Sequence, residues 1–255
     1  MKSGFQYDTL EKSALLPNIF SGYPEIHSGI STKIGSPNQT NFGMNLSSRV
    51  GDDPAMVEMN RNAFLSLFKI SKSQLAVPVQ SHSENVCIVT AAGEYRECDA
   101  LITNRTGIAL SVTVADCVPI LIFDLIEKAI GIVHAGWRGT ANGIVQRTIE
   151  KMQREFNTDT KNILASIGPS AGACCYEVGP EVAVKFENKI VHSNAQKIFV
   201  DLKKENAVQL EGKGVIPDHI EISKHCTICE KELFHSFRRE GKSAGRMMAV
   251  IYLKP

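Results

Sequence analysis

The 255-residue chain has no run of consecutive apolar residues near the roughly 18 that a membrane-spanning helix needs, so no membrane partner is expected. Its first residues, MKSGFQYDTLEKS, are polar and lack the apolar core of a secretory signal. Charge of one sign is not in excess: 28 Lys and Arg face 27 Asp and Glu, for a net charge of +1. No global field therefore draws nucleic acid or an anionic membrane, although Phe237-Arg238-Arg239 makes a local basic cluster. A disulfide framework is missing too, because the seven cysteines are odd in number and scattered through apolar runs, the Cys174-Cys175 pair apart. Such usage fits reduced thiols, and a soluble, cytoplasmic protein is expected. There is no internal repeat and no low-complexity block, and tryptophan occurs once, at Trp137.

The rest is ordinary for a globular protein, 43% apolar and 22% charged, on a chain long enough to bury roughly three quarters of its unfolded surface. Asp52-Asp53-Pro54 offers an N-cap followed by proline in the first turn, and Val57, Phe64, Leu65 and Phe68 recur at helical spacing. That predicts a helix over 54–69. Aliphatic and β-branched runs at 75–79, 86–90, 108–114, 118–123 and 129–133 read as strands. Several are apolar at nearly every position, which implies cover on both faces. The period turns helical over 140–156. A strand at 163–167, helices at 181–187 and 201–211, and strands at 219–222 and 247–253 follow. Gly35 to Asn45 reads as a long loop. With no βαβ rhythm, the expectation is α+β: a single domain spanning 1–255, its sheets sandwiched between helices.

Three residues stand at the ends of apolar runs: His82 after LAVPVQS, Cys117 after LSVTVAD and His134 after AIGIV. A strand end lets a side chain leave the core while a rigid scaffold holds it. Two histidines and a cysteine also suit zinc with an open fourth position, where water ionises near neutral pH. Taken singly, each residue is also compatible with simple packing, as a small core thiol or a strand-end imidazole. Glycines at 136 and 139 flank Trp137 and Arg138 at a turn that leads into a helix, where backbone N–H groups favour an anion. Arg61 and Arg246 are further candidates for binding a substrate anion. His82-Ser-Glu84 with Cys226-Thr-Ile-Cys229 partly matches the zinc nucleobase deaminase signature, but His225 stands where proline belongs and over a hundred residues separate the halves. Cys226 and Cys229 are half of a zinc motif, yet Cys174-Cys175 lacks the matching spacing and no thioredoxin-like context supports redox work. These thiols read as structural.

Several motifs occur in order: Asp99-Ala-Leu-Ile-Thr103, Ala115-Asp-Cys-Val-Pro119, His134-Ala-Gly-Trp-Arg-Gly139, Ile167-Gly-Pro169 with Cys174-Cys-Tyr-Glu-Val-Gly179, and Cys226-Thr-x-Cys with Phe237-Arg-Arg-x-Gly241. From about Ser28 to Leu253 the chain resembles the bacterial family long labelled multicopper polyphenol oxidoreductase, or laccase-domain, proteins, since assigned purine nucleoside phosphorylase and adenosine deaminase activities. The resemblance implies an α/β/β/α fold related to putative cysteine hydrolases, with metal ligands at His82, Cys117 and His134. His82 sits in Gln80-Ser-His-Ser83 rather than the family's Gln-Val-His-Gly, and the family's Ser-Thr-Arg-x-Gly-Gly is altered to Ser31-Thr-Lys-Ile-Gly35. A multicopper centre needs many histidines, commonly in His-x-His pairs; this chain has seven and no such pair. One zinc or copper ion is what it can support.

The resulting expectation is a zinc (alternatively copper) enzyme acting on purine nucleosides such as adenosine, inosine, guanosine or methylthioadenosine. Phosphorolysis would use inorganic phosphate as co-substrate, and adenosine would also be deaminated. Cys117, His82 and His134 would hold the catalytic metal, with Asp116 moving protons. Arg61, Arg246, Asn45 and Arg138 would contact substrate. The alternatives are an amide hydrolase that edits peptidoglycan precursors with Cys117 as nucleophile and a histidine as base, a polyphenol oxidase, and a non-catalytic metal-binding module.

Overall fold

A computed structural model describes residues 6–7, 12–36, 42–186, 191–194 and 197–255. Two large sheets lie face to face. One runs in the order Gln6–Tyr7, Ala14–Leu16, Ile26–Ser31, Met247–Leu253, Ala109–Val114, Leu75–Pro78 and Gly93–Tyr95. The other runs Ile220–Ile222, Ile163–Ile167, Val118–Asp124, Ile130–Ala135, Ala100–Thr103 and Val86–Ile88. Antiparallel pairs dominate both, with parallel pairs near the edges. A small third sheet is made of Glu177–Val178, Lys197–Val200 and Val191–Asn194.

The apolar runs now have a cause. In Val118–Asp124 every residue is buried. Leu121 and Phe123 point into the layer between the sheets, with Leu110, Ile132 and Ala249. Ile120 and Ile122 point the other way, against the helix Ile144–Phe156 through Ile144, Val145, Ile149 and Met152. The helix Pro54–Ser66 covers the far face of the first sheet, packing Phe64 and Leu65 near Met248 and Val250. The layers are helix, sheet, sheet, helix, as expected for this α+β fold. A strand apolar on both faces loses its period-2 signal because both faces are covered.

The differences from the sequence reading are local. Asp53 caps the first helix by accepting from the Ala55 N–H, but that helix ends at Ser66, and Lys69 takes a positive φ of 56°. The helix expected over 140–156 is two: Trp137–Ala141, then Ile144–Phe156, divided at Gly143 with φ +73°. The expected helix 181–187 shortens to Pro180–Ala183, and residue 187 lies outside the described residues. Of the loop 35–45, residues 37–41 also lie outside them. No helix among the described residues is long and apolar enough to cross a membrane.

Candidate metal centre

Neighbouring strands bring the site together. His134 is the penultimate residue of Ile130–Ala135 and pairs with Pro119, two residues beyond Cys117. On the other side, the His134 N–H donates 2.7 Å to the carbonyl of Asp99, just before the strand Ala100–Thr103. His82 arrives from the other sheet, on the loop after Leu75–Pro78. His82 and Asp116 both have positive φ, 61° and 84°, a backbone region non-glycine residues rarely occupy unless surrounding contacts impose it.

For His82 that contact is Asp99, which is fully buried. Its carboxylate accepts the backbone N–H of Ser81 at 3.1 Å, His82 at 3.1 Å and Ser83 at 2.7 Å, and the Ser83 hydroxyl at 2.8 Å. It also receives Nδ1 of His134 at 2.7 Å. One carboxylate thus fixes the loop that carries His82 and the ring of His134. Burial works against its charge, but His134 and these donors outweigh burial and hold its pKa well below the usual range. Residue-by-residue reading gave Asp99 no role; the signal was its place at the head of the Asp99-Ala-Leu-Ile-Thr103 motif.

The ligating atoms of His82, Cys117 and His134 lie within 4.8 Å of one another. Cys117 Sγ is 3.9 Å from His82 Nε2, and the two imidazoles meet edge to face at 4.9 Å between centroids. With Nδ1 of His134 engaged by Asp99, Nε2 is the atom free to bind, the arrangement seen where a carboxylate orients a zinc-bound histidine. Burial raises the Cys117 thiol, but His134 and His82 reverse this and favour the thiolate. Burial lowers His134, but Cys117 and Asp99 overcome it and raise its pKa. A thiolate and two imidazoles at this spacing fit a zinc ion with one open position. Gly136 makes room for them: a Cβ there would stand 2.9 Å from His82 Cδ2 and 3.2 Å from Cys117 Sγ.

These side chains help line a cavity of about 600 Å³. Trp137, Tyr176 and Phe237 supply aromatic wall, and Arg61, Arg238 and Arg246 supply cations. Arg246 stacks on Phe237 at 5.5 Å and gives one guanidinium nitrogen to the carbonyls of Ala244 and Gly245. Arg61 gives Nε to the Leu46 carbonyl at 2.7 Å. Burial is the first cause lowering both guanidinium pKa values, so an anion that neutralises them is favoured here.

Other candidates are placed differently. Asp116 lines the cavity, but its carboxylate accepts the Thr227 hydroxyl at 2.6 Å, the Ser236 hydroxyl at 3.0 Å and the Arg238 N–H at 2.7 Å. Both oxygens accept hydrogen bonds, so Asp116, the residue expected to move protons, also anchors the wall that carries Arg238. Asn45 is fully buried behind the lining, donating to Ser47 and Asp52 and accepting the backbone N–H groups of Ser47 and Arg246. Arg138 is exposed and stacks on the lining residue Trp137 at 4.3 Å, without lining the cavity itself. Arg238, placed in the sequence only in a basic cluster, lies over the Tyr176 ring at 4.9 Å in the cavity wall.

The chain is similar to known proteins over nearly its whole length. The family model described as multi-copper polyphenol oxidoreductase laccase matches residues 27–254. A purine nucleoside phosphorylase of Bacteroides thetaiotaomicron is 31% identical over 264 residues, covering 96% of this chain and 98% of its own. Adenosine deaminase RL5, from an unknown prokaryotic organism, is 35% identical over 230 residues, with 83% and 87% covered. The crystal structure of YlmD from Geobacillus stearothermophilus superposes with a TM-score of 0.91 at 29% identity, covering 98% of this chain and 99% of that one.

Proposed function

The chain belongs to the multi-copper polyphenol oxidoreductase laccase family, and from its site we propose an enzyme of purine nucleosides that works with zinc held by His82, Cys117 and His134. Its reactions are phosphorolysis of adenosine, inosine, guanosine or methylthioadenosine, and deamination of adenosine. The observation that carries the reading is the preformed donor triad lining a cavity with aromatic and cationic walls. At about 600 Å³ the cavity falls within the range of roughly 300–1,000 Å³ typical of small-molecule sites. The relatives named as a purine nucleoside phosphorylase and an adenosine deaminase support the substrate class.

A zinc ion bound there supplies Lewis-acid polarisation at its open position. The chain's own residues do the rest. Trp137, Tyr176 and Phe237 offer flat apolar surface for a purine. Arg61 and Arg246 hold phosphate, each with guanidinium N–H groups beyond those spent on carbonyls. In phosphorolysis a phosphate oxygen bonds to the ribose carbon, the bond to the purine nitrogen breaks, and the base leaves with a proton, giving ribose 1-phosphate. The two guanidiniums orient that attack and neutralise the dianion. In deamination, water adds to the purine carbon bearing the amine and ammonia leaves. Asn45 sets the Arg246 backbone, and Asp116 holds Arg238 in the wall.

One observation favours a second reading, an amide hydrolase with Cys117 as nucleophile. Cys117, His134 and Asp99 form a connected thiol–imidazole–carboxylate series with the thiol biased to thiolate. Incubating metal-loaded and metal-stripped protein with inosine plus phosphate, and with adenosine, separates the two. The nucleoside reading expects ribose 1-phosphate and free base, and inosine from adenosine, only with metal. Absence of all these products from loaded protein refutes it.

A further inference from the structure

A second set of ligands lies away from the first. The sulfurs of Cys174, Cys175, Cys226 and Cys229 all stand within 4.8 Å of one another. Cys229 Sγ is 3.2 Å from Cys175 Sγ and 3.6 Å from Cys174 Sγ. The sequence spacing set the first two cysteines apart from the second two, and the fold joins them. Ser170 and Cys226 form an isolated parallel bridge, with the Thr227 N–H donating 3.0 Å to the Ser170 carbonyl. A tight turn, in which the Cys175 and Tyr176 N–H groups both donate to the Gly172 carbonyl, then carries Cys174 and Cys175 over the Cys226–Cys229 turn.

We propose that these four cysteines bind a zinc ion as a structural tetrathiolate site, separate from the His82–Cys117–His134 centre. A tetrahedral zinc with Zn–S of ~2.3 Å puts its sulfurs about 3.8 Å apart, a spacing small side-chain rotations reach from that observed. All-sulfur tetrahedral sites select zinc or iron–sulfur centres over hard cations, and a C-x₂-C turn is the usual half-site of structural zinc. Backbone N–H groups favour the thiolate at Cys226, while burial and the neighbouring thiols raise Cys174 and Cys175. Cys226 Sγ accepts the Gly172 N–H at 3.3 Å. Burial pushes this thiol up, but backbone N–H groups of Cys229, Gly172 and Ile228 outweigh it and lower its pKa, as N–H groups oriented on a ligand sulfur do. Lys203, 8% exposed, donates to the carbonyls of Ser223 and His225 beside the cluster. Burial is the first cause lowering its pKa, while Asp201 and then Cys226 and Cys174 favour its charge. Gly172 belongs to the cradle: a Cβ there would meet Cys226 Cβ at 3.2 Å and the sulfurs of Cys174 and Cys226 at 3.3 Å.

The site ties together the two segments that build the substrate wall. Tyr176 follows Cys175, and Thr227 hydrogen-bonds Asp116, the neighbour of Cys117. The zinc therefore holds the wall in place without touching substrate.

The test is metal content of protein purified under reducing, anaerobic conditions, in the wild type, in Cys226→Ser/Cys229→Ser and in His82→Ala/Cys117→Ala. The Cys226→Ser/Cys229→Ser variant should lose one zinc per chain relative to wild type, and the His82→Ala/Cys117→Ala variant should keep that zinc. Cobalt added to metal-stripped His82→Ala/Cys117→Ala protein should give the intense sulfur-to-metal charge-transfer bands of a tetrathiolate, a readout that needs no cysteine-cluster variant to fold. These readouts are independent of nucleoside turnover. Equal zinc in wild type and Cys226→Ser/Cys229→Ser, or absence of those cobalt bands, overturns the proposal.

Discussion

Replacing Asp99 by Asn keeps shape and removes one charge at the point where the site is held together. Oδ1 accepts from His134 Nδ1 and the His82 N–H, while Oδ2 accepts from Ser81 and Ser83. An amide has one acceptor and one donor end. With the NH₂ group toward His134, that ring must turn Nδ1 into an acceptor and carry its proton on Nε2, which then cannot bind metal. Turned the other way, the amide faces the Ser81 and Ser83 donors and frees the loop that carries His82. Either orientation weakens the same triad. Loss of such a carboxylate typically costs 10–100-fold in metal affinity, about 1.4–2.7 kcal/mol. Stability should fall by about 3 kcal/mol, because breaking a buried charged pair leaves unpartnered polar groups in the core. Competition against a chromophoric chelator measures the first and denaturant unfolding the second. Zinc affinity within twofold of wild type, with stability unchanged, would refute the positioning role of Asp99.

Three further outcomes follow from the same geometry. Gly136→Ala places a methyl 2.9 Å from His82 Cδ2; the fold should persist while zinc at the triad weakens at least tenfold, measured by chelator competition, and unchanged affinity contradicts the close packing. Arg61→Ala and Arg246→Ala should each raise the KM for phosphate about tenfold or more, on the scale of one lost charge-assisted hydrogen bond, with adenosine deamination much less affected; equal loss in both reactions contradicts phosphate binding. His235 is 4% exposed, and burial first of all lowers its pKa to about 4. The unfolded chain takes up a proton there below about pH 6.5 that the folded chain refuses, so stability is full above that pH and falls as pH drops toward 4. The slope reaches about 1.4 kcal/mol per pH unit and totals about 3 kcal/mol across the window. Unfolding titrations of wild type and His235→Gln should show a shallower slope in the variant between pH 6.5 and 4, and parallel curves contradict this origin.

Elements with strong local signals were legible. The Asp53-Pro54 start needed only a cap and a proline, and the strands 109–114, 118–124 and 130–135 showed as apolar runs because sheet and helix layers cover them from opposite sides. The strand Ile26–Ser31 was missed because serines and Gly29 dilute its pattern; Gly29 lies where a Cβ would meet the Phe68 ring at 2.4 Å. The break at Gly143 was hidden because apolar spacing continues into the next helix, and only its backbone turns left-handed. In the site, His82, Cys117 and His134 were legible as residues at the ends of apolar runs. Asp99 was not, since its donors come from residues 16 to 35 positions away and leave no local trace. The anchoring by Asp116 was hidden for a similar reason: its partners Thr227, Ser236 and Arg238 come from the far end of the chain. The meeting of Cys174-Cys175 with Cys226 and Cys229 likewise rests on one long-range bridge.

The most direct test of the central claim is a single titration. Zinc is added stepwise to metal-stripped protein while ribose 1-phosphate formed from inosine and phosphate is measured, in wild type and in His134→Ala. Phosphorolysis in the wild type should rise with occupancy of the His82–Cys117–His134 centre and stay at background in His134→Ala at any zinc concentration. Full phosphorolysis by His134→Ala, or by wild type with that centre empty, would contradict the account.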